Sequence, residues 1–246
     1  MSKRIGYLMA CAASFAAAAI AESPCGADAL GVSRTIEVSA ETGRIEPLLA
    51  DKEVVLTFDD GPDRYRTPEV LDVLASECVT ATFFLLGREA RGKSKLVRRI
   101  VEDGHTLGGH GYTHENMALM DHDDALKNAG RGLAAVERAL NGRKPKGEPQ
   151  EISFFRAPFL ATTERLSSDI KANGIAEIGV TVDGKDWTGN SAEEIVETIM
   201  AGLDAGPGKG VILLHDPFDN AVLATRLLLN RLKAEGYSIV ALAPAE

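Results

Sequence analysis

The sequence predicts a single α/β domain in which parallel strands alternate with helices, and three observations predict it. From Val54 onward, short β-branched or aromatic runs alternate with amphipathic segments of helix length. Strands spaced in this way are joined by helical crossovers, which makes them parallel and gives either a β/α barrel or a doubly wound sheet. The polar residues suited to chemistry lie just past the C-terminal ends of the apolar runs, the face on which such folds assemble sites from loops.

The chain opens on "MSKRIGYLMACAASFAAAAIA", where Lys3 and Arg4 precede an alanine-rich apolar stretch ending in the small-x-small sequence Ala19-Ile20-Ala21. Residues 1–21 therefore read as a secretory signal peptide, too short and too rich in alanine for a comfortable membrane span. The alternative is an uncleaved N-terminal anchor, and a lipoprotein reading through Cys11 is weaker still, because the apolar stretch before that cysteine is short. Residues 22–50 form an extended N-terminal segment, and residues 51–246 form the folded domain.

Within that domain seven strands are expected, at 54–58, 80–86, 105–109, 152–155, 175–182, 210–214 and 237–242. Between them lie six helices, Pro68–Glu77, Ser94–Asp103, Asp121–Leu140, Thr163–Ala172, Ser191–Leu203 and Asn220–Glu235. Pro68, Ser94 and Ser191 suit the first turns, and Gly104, Gly142, Gly174 and Gly236 suit the ends. The charged stretch 141–151 reads as a surface loop, and the sequence shows no internal repeat and no second domain.

With 246 residues and 45% hydrophobic content, the chain can bury a substantial core. Its formal net charge of −9 becomes −11 once Lys3 and Arg4 leave with the leader. Such a surface has no electrostatic footprint for nucleic acid or for anionic lipid, so neither nucleic acid nor, after cleavage, a membrane is expected as a partner. Export to the periplasm or the medium permits a disulfide between Cys25 and Cys78. Because Cys25 falls in the N-terminal segment and Cys78 abuts an apolar strand, the expected state of Cys78 is a buried free thiol.

The chemistry is concentrated at five strand ends. Asp59 and Asp60 follow the first run, His110 and His114 the third, Arg156 the fourth, Asp183 and Asp186 the fifth, and His215 with Asp216 the sixth. Two histidines four apart face one way on a single helical turn, and with one carboxylate they make a three-ligand metal set that leaves positions open for water and substrate. An isolated pair of this spacing is more often two hydrogen-bonded loop histidines, but the nearby aspartates favour chelation. If Asp60 is the third ligand, Asp59 is left to accept a proton from water. Adjacent strand residues point to opposite faces, so both carboxylates face one site only where the strand breaks, and Gly61-Pro62 supplies the break. His105 and His122 fit no chelating spacing and read as structural or exposed.

"TFDDGP", "HGYTH", "RAP", "DGKDW" and "LLHD", in this order, resemble the five motifs of the NodB-like polysaccharide deacetylases, carbohydrate esterase family four. The resemblance spans residues 52–245. It implies a distorted (β/α)7 barrel, in agreement with the seven strands counted from the pattern, and removal of acetyl groups from an N-acetylated oligo- or polysaccharide such as chito-oligosaccharide, chitin or peptidoglycan. It implies Asp59 as general base paired with Arg156, and His215 as general acid beside Asp186. Asp60, His110 and His114 would bind Zn2+ or, in its place, Co2+, Ni2+ or Mn2+. Leu213 would line the acetyl pocket, Phe159 would offer a backbone donor, and Trp187 would pack in the core or stack on sugar.

The third motif departs from the common Arg-x-Pro-Tyr-Gly, reading "RAPFLATT", and the second has Gly109 where asparagine is common. The first change puts loop shape and substrate fit in question, and the second should alter the support around the metal ligands more than ligation itself. The competing readings are a secreted glycan-binding protein without turnover, an O-acetyl xylan esterase of the same fold, and a metal-dependent phosphoesterase. The last is disfavoured by the absence of a phosphate-cradling Gly-Lys-[Ser/Thr] loop. A base beside an arginine and an acid beside a carboxylate predict a bell-shaped pH profile.

Overall fold

The computed structural model describes residues 25, 28–42, 44–142 and 148–245. The expected signal peptide at 1–21 lies outside the described residues. In chain order the elements are β1 (Val32–Val38), β2 (Glu53–Asp59), α1 (Arg66–Ser76), β3 (Thr82–Leu85), α2 (Gly87–Ala90), α3 (Ser94–Glu102), β4 (Thr106–Gly109) and α4 (His122–Asn141). They continue as β5 (Phe154–Phe155), α5 (Glu164–Ala172), β6 (Ala176–Glu177), β7 (Val182–Asp183), α6 (Ala192–Ala205), β8 (Gly210–His215), α7 (Ala221–Ala234) and β9 (Ser238–Pro244). Among the described residues no helix is long and apolar enough to cross a membrane.

All strand pairs are parallel, and hydrogen bonding runs β7-β8-β2-β3-β4-β5-β6 around a nearly closed barrel. Alternation along each strand divides the core in two. Val54, Leu56 and Phe58 of β2, Phe83 and Leu85 of β3 and Ile212 and Leu214 of β8 pack against the helices. Val55, Phe84, Phe154 and Val211 point the other way, into the barrel. Every residue of β2 is buried, which is why its sequence reads as one apolar run rather than an alternating one.

All six expected helices are present, each within two residues of its expected ends. Ser191 caps α6 in a reciprocal capping box with Glu194, and Thr163 and Asp121 cap α5 and α4 through their side chains. Ser94 does not cap α3, which opens after Lys93 with no side-chain cap. Pro68 sits in the third helical position of α1 rather than opening it.

The strand count differs from the expected seven, with nine among the described residues. The single strand expected at 175–182 is two short pieces, β6 and β7, separated by Ile178–Thr181, where the chain crosses the gap in the barrel. The second addition is β1, inside the segment expected to be a mere extension. It pairs along its length with β9, and β9 in turn pairs with the start of β2. Ile36, Val38, Ile45 and Leu49 join the interior cluster with Val55 and Phe84. Residues from 32 onward therefore help to fill the barrel.

Cys78 is not a free thiol. It forms a disulfide with Cys25, the Cα atoms 6.0 Å apart. The reason is local: the tail does not hang free but docks on the C-terminal end of α1, where Glu77 accepts from the backbone N–H of Leu30 through its side chain and of Gly31 through its carbonyl. Cys78, in the turn that follows, adopts φ 51° and is only half-buried, within reach of the passing tail. Closing a loop with a sequence separation of 53 is worth roughly 4 kcal/mol in the chain-entropy picture. Cys78→Ser is expected to lower the unfolding free energy of the oxidised protein by about 2–4 kcal/mol. Denaturant titration checks this, and the two proteins should converge in reducing buffer.

Candidate active site

The strand ends converge as the sequence spacing implied. Asp59, Asp60, His110, His114, Phe159, Trp187, Leu213 and His215 line one cleft of about 500 Å3, together with Leu160, Asp183 and Phe218. Arg156 and Asp186 stand directly behind it, each holding one of the lining residues. All ten residues singled out by the motifs are thus brought together.

The two adjacent aspartates face one site because the strand stops between them. Asp59 is the last residue of β2 and points into the barrel, and Asp60 adopts φ 74°, a left-handed conformation that costs a non-glycine residue on the order of 1 kcal/mol. That rotation brings the Asp60 carboxylate to the Asp59 side. The loop beyond is fixed by Gly61 accepting from Leu86 N–H and by Lys93 donating to the Pro62 carbonyl. Asp216, left open as a cap or turn by sequence, is fully buried beneath this loop and accepts from the Thr67 hydroxyl. Burial pushes its carboxyl up to about 7, against the hydrogen bonds it receives.

"HGYTH" is not the helical turn expected from its spacing. Gly111 takes φ +71°, and the segment bends so that the imidazoles of His110 and His114 approach with ring centroids 5.5 Å apart. The bend is held from behind by α4. Asn128 accepts from the backbone N–H of Tyr112 at 2.7 Å and of Thr113 at 3.3 Å, and its amide donates to Thr113 Oγ1 and Glu115. Gly132 allows the approach, since a Cβ there would sit 2.3 Å from the Gly111 carbonyl carbon. Sequence reasoning missed Asn128 and Gly132. The available signal for Asn128 was a polar residue on the apolar face of a helix that otherwise presents Ala125, Ala129 and Leu133.

The nitrogen that faces the cleft is decided by a carbonyl. His110 Nδ1 lies 2.7 Å from the Arg156 carbonyl oxygen, which only accepts, so Nδ1 carries the proton and the Nε2 lone pair is presented to the site. Burial pulls the His110 pKa below its ordinary value, against the fields of Asp59 and Asp60, and favours the neutral ring. Nε2 of His110 and of His114 lie 3.5 and 3.3 Å from Asp60 Oδ1. That oxygen is buried and has no hydrogen-bond partner among the described residues. Three ligand atoms within 4.8 Å of one another, two of them nitrogen and one oxygen, fit a divalent ion of the zinc type and leave coordination positions open.

Asp59 and His215 are register partners on the neighbouring strands β2 and β8. Arg156 donates to Asp59 Oδ1 at 2.8 Å, and the other carboxylate oxygen lies 3.7 Å from His110 Nε2. His215 Nδ1 lies 2.8 Å from Asp186 Oδ1, and its backbone N–H donates to Oδ2 at 2.7 Å. Burial disfavours the charged ring, but the Asp186 hydrogen bond and the fields of Asp186, Asp59 and Asp60 outweigh it and raise the His215 pKa to about 9. His105 is a buried acceptor for Ala81 N–H, and His122 pairs with Asp169 at 2.8 Å, so neither belongs to the cleft.

In the "RAPFLATT" loop, Phe159 and Leu160 take φ 59° and 54°, two consecutive non-glycine residues in the left-handed region. The turn is closed by Leu160 N–H to Ala157 and Ala161 N–H to Pro158, bonds in which Phe159 N–H takes no part. The Phe159 ring meets His114 edge-on at 4.4 Å. Phe159, Leu160 and Trp187 are 61%, 48% and 56% exposed, so Trp187 is a rim residue rather than core packing.

Residues 49–178 match the family model for polysaccharide deacetylase. The chain is 31% identical over 207 residues to a chitooligosaccharide deacetylase from Bradyrhizobium sp. (strain ANU 289), an alignment covering 76% of this chain and 88% of that protein. Among solved structures it resembles a peptidoglycan deacetylase from Bdellovibrio bacteriovorus, with TM-score 0.76 and 27% identity over 89% of this chain and 61% of the other. It also resembles a CE4 family pseudoenzyme from Bacillus anthracis, with TM-score 0.68 and 25% identity over 77% and 63% of the respective chains.

Asn128→Leu, which keeps the volume and removes the acceptor for two N–H groups of the "HGYTH" bend, is expected to weaken zinc binding about tenfold or more. Competition with a chromophoric chelator measures it.

Proposed function

The chain belongs to the polysaccharide deacetylase family, and from that premise we propose that it is a divalent-metal-dependent hydrolase that removes acetyl groups from N-acetylglucosamine units of an oligo- or polysaccharide. The observation that carries this reading is the placement of an Asp-His-His triad between an arginine-held carboxylate and a carboxylate-held histidine in one cleft. Amide hydrolysis needs those parts: an electrophilic activator, a base for water, and an acid for the departing amine.

Asp60, His110 and His114 would hold the ion, which when bound would supply Lewis-acid polarisation of the acetyl carbonyl and lower the pKa of water. Asp59, its carboxylate oriented by Arg156, is the base that takes a proton from the attacking water. His215, whose Nδ1 is engaged by Asp186, donates from Nε2 to the sugar nitrogen as the C–N bond breaks. Phe159 N–H, not used in its own turn, donates to the oxyanion. Leu213 and Phe218 supply apolar wall for the acetyl methyl, and the exposed Trp187 and Phe159 offer faces to the sugar rings.

Export fits the same picture. The leader-like sequence at 1–21 precedes a Cys25–Cys78 disulfide, a bond that persists in oxidising compartments. A second reading, a glycan-binding protein without turnover, is suggested by the pseudoenzyme relative. Retention of both Asp59 and His215 favours catalysis, since binding alone needs neither a base nor an acid.

The deciding experiment is acetate release from N-acetylglucosamine oligomers of increasing length by protein stripped with chelator and then supplied with zinc. Release is expected only with metal, and His215→Ala should lower kcat by roughly 10²–10⁴-fold. Stoichiometric zinc binding with no release, from these oligomers or from peptidoglycan or acetylated xylan, would leave the binding-protein reading.

The pH dependence follows from the raised His215 pKa. The acid form persists through neutral pH and is lost as pH rises through about 9, which sets the alkaline limb of kcat/KM. Asp186→Asn removes the carboxylate that raises the ring, so the alkaline limb should move to lower pH in a rate profile from pH 5 to 10.

A further inference from the structure

Tyr112 stands between the two imidazoles of the triad in sequence, yet its side chain lines not the cleft but a separate concavity of about 590 Å3. Arg91, Arg131 and Arg138 form its wall, with Ser94 at the uncapped first turn of α3, and no aspartate or glutamate lines it. Of the fourteen described arginines, seven have a carboxylate within salt-bridge distance. Arg64, Arg98, Arg165 and Arg226 lack one among the described residues, as Arg91, Arg131 and Arg138 do, but without being gathered in one concavity. In a chain of net charge −9, three guanidinium groups gathered without a counter-charge are conspicuous, because acidic partners are plentiful.

The cluster is organised around the tyrosine. Arg131 stacks on the ring with its guanidinium carbon 3.5 Å from the centroid. The positive charges of Arg91 and Arg131 beside the phenol hold its pKa below the ordinary tyrosine value, Arg91 most strongly. Arg131 is thus held in place before any ligand arrives, and ordering in advance lowers the entropy cost of binding.

We propose that this concavity is an oxyanion-binding site that takes a carboxylate or phosphate group, supplied as the pendant group of an acidic glycan. The planar fork of arginine matches both groups in a bidentate manner, and such charge-assisted bonds are the strong ones. An anion there cancels the repulsion among three cations that no carboxylate among the described residues pairs. The position relative to the metal loop gives the site a consequence. Tyr112 N–H is held by Asn128 and its carbonyl by Arg88 N–H, so a group gripped against the ring bears on the segment that carries His110 and His114. The charges and the concavity stand outside the catalytic cleft, and only the choice of a glycan as the source of the anion rests on the deacetylase reading.

The test titrates the zinc-loaded full chain with inorganic sulfate and, separately, with a hyaluronan hexasaccharide, by calorimetry and by 15N spectra of the arginine side chains. Both probes should bind, the hexasaccharide more tightly, with affinity falling as salt is raised. The triple variant Arg91→Gln, Arg131→Gln, Arg138→Gln should weaken binding of both by at least about tenfold with unchanged zinc stoichiometry. Arg138→Glu alone should weaken it as well, which keeps the test decisive if the triple variant folds poorly. Sulfate binding without hexasaccharide binding would overturn the glycan source and identify a free anion as the ligand. No binding of either probe at tens of millimolar, or binding that neither variant changes, would overturn the site itself.

Discussion

The guanidinium of Arg156 is the constraint on which the rest of the cleft depends. It is 1% exposed, and burying a lone charge of this kind costs several kcal/mol unless every donor is met. Here four of the five N–H groups have acceptors among the described residues, and an aromatic ring covers one face. Asp59 and Thr57 accept on the β2 side, Ile178 and Gly179 carbonyls accept from the segment that crosses the barrel gap, and the Phe84 ring lies 4.2 Å beneath. Its own carbonyl fixes the His110 tautomer. One residue therefore orients the Asp59 carboxylate, stitches the gap between β6 and β7 and, through its backbone carbonyl, turns the His110 Nε2 toward the cleft. Chemistry and fold stability share the same bonds, so loss of the Asp59 charge disturbs both.

Backbone strain is concentrated where the chemistry is. Six described non-glycine residues have positive φ, and four of them, Asp60, Phe159, Leu160 and Lys185, sit on loops around the cleft. Each such residue costs of order 1–3 kcal/mol and persists only where the surroundings over-determine it. At Asp60 the outcome is visible, since the left-handed turn puts two neighbouring carboxylates on one side. At Leu160, where glycine would adopt the conformation freely, the strain places an apolar side chain on the rim. That substitution shapes the cleft of this chain differently from a glycine-bearing loop.

The N-terminal segment completes the barrel rather than trailing from it. β1 adds to the sheet edge through β9, its apolar residues fill the interior opposite the catalytic face, and the Cys25–Cys78 disulfide ties the segment to the end of α1. The active face stays open because the opposite end is the one that is plugged.

The alternation of runs and helices determined the parallel α/β class, because buried parallel strands must be apolar and crossovers must be amphipathic, and both leave periodic marks. It left barrel and doubly wound sheet open, and the motif resemblance pointed to the barrel. The motif residues at strand ends were legible for the same reason: once strands are parallel, every C-terminal end faces one side, so Asp59, His110, Arg156, Asp186 and His215 had to meet. What only the tertiary structure decided involves partners distant in sequence, or dihedral angles that a residue's identity does not dictate. The "HGYTH" bend looked helical by spacing, but Gly111 and the grip of Asn128 from α4 made it a loop. Cys78 read as buried beside a strand, yet its neighbour in space was a tail more than fifty residues away, docked by Glu77. β1 left no mark because its exposed, polar side dominates its composition, and its pairing with β9 joins opposite ends of the chain. The arginine cluster on Tyr112 is likewise invisible in one dimension, since Arg91, Arg131 and Arg138 come from two separate stretches that only the packing of α4 on the metal loop brings together.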